Sequence, residues 1–228
     1  MTEIKICGIT NLEDALGAAD CGADAVGFIF HPGSPRYIPP QKAKAIADAL
    51  PEGIARVGVF VNHCAAEVER IAEVCVLDFI QLHGDEPPEF CRHFPPERLI
   101  KAVFPRRMDD LQALDSYKVM AFLIDSRTAG LYGGTGRTAD WPLAARLREA
   151  HPLILAGGLN EGNIRQALAF VSPHAVDLNS GVERAPGIKD HDRMRRIVEI
   201  VRRGDANGPK ILFARKTHLA PGAVDTGT

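Results

Sequence analysis

The sequence predicts an α/β protein built as a single closed (β/α)8 barrel, the TIM-barrel architecture, and three observations carry that expectation. Apolar strand-like runs and helical stretches alternate eight times between Ile4 and Arg203, the pattern of a parallel sheet whose strands are joined by helical crossovers. Eight repeats suit a closed ring better than an open doubly wound sheet. Polar and glycine residues recur where the apolar runs end, which is the face on which such barrels build their sites. With 46% hydrophobic and 25% charged residues in 228, the chain can bury one large core without disulfide or metal staples.

Each unit has its own signals. Ile4, Ile6 and Ile9 mark the first strand, with a helix cap at Thr10 or Asn11, and Leu12, Ala15, Leu16 and Ala19 follow at helical spacing up to Gly22. The second strand is Ala25 to Phe30; a proline-bearing loop from His31 to Pro39 leads into a helix over Pro40 to Leu50, with Pro40 suited to its first turn. Strand three is Arg56 to Val61 with a helix over Ala65 to Val74, and strand four is Phe79 to Leu82 with a short helix over Pro88 to His93. Leu99 to Val103 is strand five, followed by a helix near Met108 to Leu114. Strand six is Val119 to Ile124, its helix Trp141 to Ala150; strand seven is Leu153 to Ala156, its helix Asn163 to Phe170. Ala175 to Leu178 is strand eight, and Asp190 to Arg203 is the last helix. The periodicity then dissolves, so residues 1–203 are expected to form the barrel and 204–228 a mobile tail with one apolar patch, Ile211-Leu212-Phe213.

Bulk properties exclude several classes. A net charge of -2 with pI near 6.4 leaves no basic stripe for phosphate backbones, so no nucleic-acid partner is expected. Five cysteines at 7, 21, 64, 75 and 91 make an odd count without Cys-x-x-Cys spacing, which argues for reduced thiols and against a zinc site. No signal-like N-terminus and no run of eighteen apolar residues is present, so the expectation is a soluble cytoplasmic protein with no membrane partner.

The strand ends carry, in turn, Cys7, the loop with Arg36, Asn62, His83, Asp125, the pair Gly157-Gly158, and Asp177 with Ser180-Gly181. Cysteine packs as a small hydrophobe as readily as it reacts; the place of Cys7 at a strand end makes it a candidate. Gly157, Gly158, Ser180 and Gly181 follow strands seven and eight, where these barrels commonly bind phosphate through backbone N–H groups. Glycine lets a phosphate approach the backbone closely. Arg36 sits in a loop stiffened by Pro32, Pro35, Pro39 and Pro40, and a guanidinium pairs with carboxylate or phosphate, so an anionic group is its natural ligand.

Six ordered motifs together resemble one family: Lys5-Ile6-Cys7-Gly8-Ile9-Thr10; Gly27-Phe28-Ile29-Phe30 leading to Ser34-Pro35-Arg36-Tyr37; Gln81 to Glu86; Gly133-Gly134-Thr135-Gly136 before Asp140-Trp141; Ala156-Gly157-Gly158-Leu159; and Asn179-Ser180-Gly181-Val182-Glu183. They resemble phosphoribosylanthranilate isomerase over Lys5 to about Arg203. The resemblance implies an Amadori rearrangement of N-(5-phosphoribosyl)anthranilate in tryptophan biosynthesis, with no cofactor and no metal. By the same resemblance Cys7 is the general base, Asp125 the general acid, and Arg36 holds the anthranilate end. His83 and Asp177 are further candidates for contact with this small-molecule substrate, and a monomer or homodimer is expected. Leu178-Asn179 stands where Val-Ser is common in the family, and Arg137-Thr138-Ala139 where an aromatic is usual before Asp-Trp.

An ordinary thiol is only a few per cent ionised at neutral pH while an ordinary carboxyl is almost wholly ionised, so both roles call for an altered environment. Lys5, on the same strand face as Cys7, is a possible charged neighbour, and Asp177 would either oppose the thiolate or orient the thiol. Rival readings are a related sugar-phosphate isomerase, which would carry carboxylates in both catalytic positions, a metal-dependent epimerase, for which His83 lacks a partner set, and a non-catalytic phosphate-binding barrel, which would bind without turnover.

Overall fold

The computed structural model describes residues 1–125, 139–204 and 212–213. Eight parallel strands close into a barrel: β1 (Glu3–Cys7), β2 (Ala25–Ile29), β3 (Ala55–Phe60), β4 (Phe79–Leu82), β5 (Leu99–Val103), β6 (Ala121–Ile124), β7 (Leu153–Leu155) and β8 (Ala175–Leu178). Each pairs with its sequence neighbour, and β1 pairs with β8 in the register Glu3↔Ala175, Ile4↔Val176, Lys5↔Asp177, Ile6↔Leu178.

The helices are α1 (Leu12–Asp20), α2 (Pro40–Ala49), α3 (Ala65–Val74), α4 (Pro88–Cys91), α5 (Trp141–Ala150), α6 (Ile164–Val171) and α7 (His191–Gly204). Asn11 caps α1, its Oδ1 accepting from the Asp14 N–H at 2.8 Å, which satisfies one otherwise orphaned donor. In α7, Met194, Ile197, Val198 and Val201 recur at helical spacing and are buried, so this face packs on the barrel.

The structure adds detail to the sequence expectations. The helix expected near Met108 to Leu114 is a 3-10 helix over Met108–Ser116. Strand six begins at Ala121, without Val119 and Met120. A two-stranded antiparallel hairpin, β9 (Glu183–Ala185) and β10 (Ile188–Lys189), lies between β8 and α7. Within the stretch expected as a tail, Leu212 and Phe213 are only 4% and 2% exposed.

Strand alternation sends one set of side chains inward and the other toward the helices. Ile4, Val26, Phe28, Leu99, Phe122, Val176 and Leu178 pack in the layer beneath the helices. Ala25, Val57, Phe79, Ala102, Leu123, Ile154 and Ala175 form the cluster inside the barrel. On β1 the inward set is Glu3, Lys5 and Cys7, all buried. At the end where the strands begin, the Glu3 carboxylate accepts the backbone N–H groups of Leu212 and Phe213 at 2.6 and 2.9 Å. Phe213 packs edge-on against Phe79 with ring centroids 5.7 Å apart. These two residues therefore close the floor of the barrel. Phe213→Ala should remove about 3–5 kcal/mol and lower the melting temperature by about 6–20 °C while leaving kcat unchanged, because the floor lies opposite the polar strand ends; an unchanged melting temperature contradicts this.

Candidate active site

At the C-terminal ends of the strands a cavity of about 150 Å³ opens, lined by Cys7, Arg36, His83, Asp125, Gly157, Gly158, Asp177, Ser180 and Gly181 among the strand-end candidates. Asn62 does not line it. It is left-handed at φ 54°, and its Oδ1 accepts the Asp85 N–H at 2.8 Å, so it shapes the loop after β4.

The β1–β8 register sets Lys5 opposite Asp177, and Lys5 Nζ donates to Asp177 Oδ1 at 2.9 Å with the lysine wholly buried. Cys7 lies two residues further along the same inward face. Room for the pair comes from Gly27: a Cβ there would sit 2.8 Å from Cys7 Sγ and 3.1 Å from Lys5 Nζ. Burial works against the Lys5 ammonium, yet Asp177 and then Cys7 raise it above its ordinary value. For Cys7, burial and then Asp177 push the thiol up, and the pull of Lys5 in the other direction does not prevail.

Across the cavity, His83 Nε2 stands 3.4 Å from Asp125 Oδ2. The Gln81 amide lies 2.8 Å from His83 Nδ1, which holds the ring with Nε2 facing Asp125. His83 thus touches both the acid and the cavity.

Arg36 makes a forked contact with Glu183, its Nε 2.9 Å from Oε1 and its Nη2 2.7 Å from Oε2. Glu183 Oε1 also accepts from Lys189 Nζ at 2.9 Å and from the Gly187 N–H at 3.1 Å. Burial would raise the Glu183 carboxyl, but hydrogen bonds from Arg36 and the charge of Lys189 hold it below its ordinary value. Burial pulls the Lys189 ammonium down, opposed by Glu183. Neither Glu183 nor Lys189 was marked as a site residue by sequence. The signal that could have found them is a pair of charges just beyond the Asn179 to Val182 loop, in a stretch otherwise short of core residues.

Gly157 and Gly158 adopt φ of 82° and 60°, a conformation costly for residues with a Cβ. Two side-chain amides, from Asn160 and Asn163, hold the Gly158 carbonyl at 2.9 Å each. Neither glycine N–H has a hydrogen-bond acceptor among the described residues. The Gly133 to Gly136 motif lies outside the described residues. Among the described residues no group of three or more His, Cys, Asp or Glu could hold a metal ion, and no helix is long and apolar enough to cross a membrane.

A closed (β/α)8 barrel with a thiol, carboxylates, an arginine and two glycine-bearing turns gathered at its strand ends has the layout of a barrel enzyme. A profile of N-(5'-phosphoribosyl)anthranilate (PRA) isomerase matches residues 4–200. The chain is 56% identical over 203 residues to the N-(5'-phosphoribosyl)anthranilate isomerase of Syntrophus aciditrophicus, covering 89% of this chain and 88% of that one. Phosphoribosyl anthranilate isomerase from Thermotoga maritima superposes with a TM-score of 0.81 at 46% identity, covering 89% of this chain and 99% of that one. A solved complex of such an isomerase with reduced 1-(o-carboxyphenylamino)-1-deoxyribulose 5-phosphate superposes with a TM-score of 0.78 at 43% identity, over 89% of this chain and 99% of that one. The chain belongs to the N-(5'-phosphoribosyl)anthranilate isomerase family, isomerases of tryptophan biosynthesis that catalyse an Amadori rearrangement.

A buried thiol pushed upward ionises only at raised pH. Alkylation of Cys7 by a small neutral reagent, followed by peptide mass spectrometry to separate it from Cys21 and Cys64, should therefore show a midpoint above the ordinary thiol value of about 8.5; a midpoint below neutrality contradicts the environment described.

Proposed function

We propose that the protein converts N-(5-phosphoribosyl)anthranilate to 1-(2-carboxyphenylamino)-1-deoxyribulose 5-phosphate, with Asp125 as general acid and Cys7 as general base. The supporting observation is that both residues line one cavity together with the glycine turns and Arg36. The substrate's phosphate lies against Gly157, Gly158, Ser180 and Gly181, where the N–H groups of the two left-handed glycines have no acceptor among the described residues. Its anthranilate carboxylate meets the Arg36 guanidinium. The ribose then spans the space between β1 and β6, within reach of His83 and Asp177.

Protonated Asp125 gives its proton to the ring oxygen as the bond from that oxygen to C1 breaks, leaving an open chain with a C1–nitrogen iminium. The Cys7 thiolate takes the proton from C2, and the electron pair of that C–H bond becomes the C1–C2 double bond of an enolamine. Loss of the C2 hydroxyl proton and gain of a proton at C1 complete the ketone. One proton leaves Asp125 and one arrives on Cys7, so the pair begins with its proton on the acid and ends with it on the sulfur. A thiolate that burial makes costly is, once formed, a stronger base toward C2. Lys5 lies where its charge offsets part of that cost.

Cys7→Ala or Asp125→Asn should lower turnover by about 10²-fold or more, read as the rate at which the fluorescence of freshly made phosphoribosylanthranilate is lost; turnover near that of the wild type in either variant removes that residue from its role. Arg36→Ala should act mainly on KM, and an unchanged KM and kcat would refute its assignment. A non-catalytic barrel would leave the fluorescence to its spontaneous decay.

A further inference from the structure

The Arg36 contact contains more than binding one carboxylate requires. A lone buried arginine would attract an anion, yet here its Nε and Nη2 edge is already taken by the Glu183 carboxylate. Pairing a binding cation with a buried anion has two consequences. It fixes the guanidinium plane, because a forked two-point contact permits one orientation. It also cancels the charge that was to attract the ligand.

Lys189 answers the second consequence. Its side chain is wholly buried, and its ammonium is held by Glu183 Oε1 at 2.9 Å and Asn179 Oδ1 at 3.1 Å. Arg36, Glu183 and Lys189 together keep one positive charge in surplus, and Arg36 is the member that lines the cavity. Asp14 approaches Lys189 only at its backbone N–H, and its other oxygen faces His191. The surrounding chain is shaped to hold the cluster. A Cβ on Gly8 would meet Arg36 Cδ at 2.8 Å and Asn179 Oδ1 at 2.7 Å, so both side chains pack over that glycine. Gly187, left-handed at φ 78° in the turn between β9 and β10, turns its N–H to Glu183, and Arg193 from α7 donates to the Glu183 carbonyl at 2.8 Å.

We infer that Glu183 and Lys189 are positioning residues that orient Arg36 and preserve its net positive charge, so that the site selects a substrate bearing a carboxylate on its aromatic ring. This rests on the reading that Arg36 meets that carboxylate. Neither residue lines the cavity; Glu183 holds Arg36 directly and Lys189 reaches it through Glu183. A merely structural role would weaken all ligands alike, whereas this role is specific to ligands that carry the carboxylate.

The test is calorimetric affinity for two probes: the reduced product, 1-(2-carboxyphenylamino)-1-deoxyribitol 5-phosphate, and its anilino analogue lacking the carboxylate. Lys189→Met leaves Arg36 and Glu183 as a neutral pair and should cut the preference for the carboxylated probe by about 10-fold, with affinity for the anilino probe unchanged. Glu183→Gln/Lys189→Met restores the surplus charge but frees the guanidinium, and the preference should stay low. Lys189→Gln is read on the same ratio where Lys189→Met is unstable. A wild-type ratio in the Lys189 variants overturns the charge role, and recovery of the wild-type ratio in the double variant overturns positioning by Glu183. Arg36→Ala separates the two levels: loss of preference there alone leaves the Arg36 reading standing without the inference, and a preserved preference in Arg36→Ala overturns both.

Discussion

Closure of the barrel through β1 and β8 is the constraint on which the site depends. The parallel register that sets Lys5 opposite Asp177 joins residues 172 positions apart in sequence in a buried ion pair. It also puts Cys7 on the same inward face. Slipping β1 by one residue would send Ile4 and Ile6 inward and Lys5 and Cys7 out toward the helices. The register is therefore specified twice, by apolar burial on the outer face and by charge pairing on the inner one.

Burying charge is costly unless each group finds partners, and the barrel meets that condition in connected pairs. Lys5 with Asp177, and Arg36 with Glu183 and Lys189, gather ionic groups around one small cavity. Each pair fixes a side chain that would otherwise need ordering when substrate arrives, so orientation is settled during folding rather than during binding. The same environment keeps the Cys7 thiol above its ordinary value. The thiolate that the proposed mechanism needs is therefore costly to form in this cavity.

The barrel was legible because its signals are local. β4, β5, β8, α3 and α5 occupy the residues expected of them. The helix expected near Met108 to Leu114 is present as a 3-10 helix, in keeping with Met108, Leu111 and Leu114 spaced by three throughout, the period of the tighter helix. The hairpin was invisible because strands of three and two residues carry no alternation to read. The strand-end residues that line the cavity were legible from the fold rule. Glu183 and Lys189 were not, since the Arg36 that Glu183 pairs with lies 147 positions away in sequence. Leu212 and Phe213 escaped for a related reason: their partner, Glu3, is at the other end of the chain.

The geometry of a sugar held between β1 and β6 is the central claim, and a crystal structure of this protein bound to the reduced product tests it most directly. The expected result is Cys7 Sγ in contact with C2, within about 4 Å, and an Asp125 carboxylate oxygen within about 3 Å of the hydroxyl that was the ring oxygen, with the phosphate against the two glycine turns. A ligand lying with C2 turned away from Cys7, or with packed side chains between its sugar and Asp125, would contradict it.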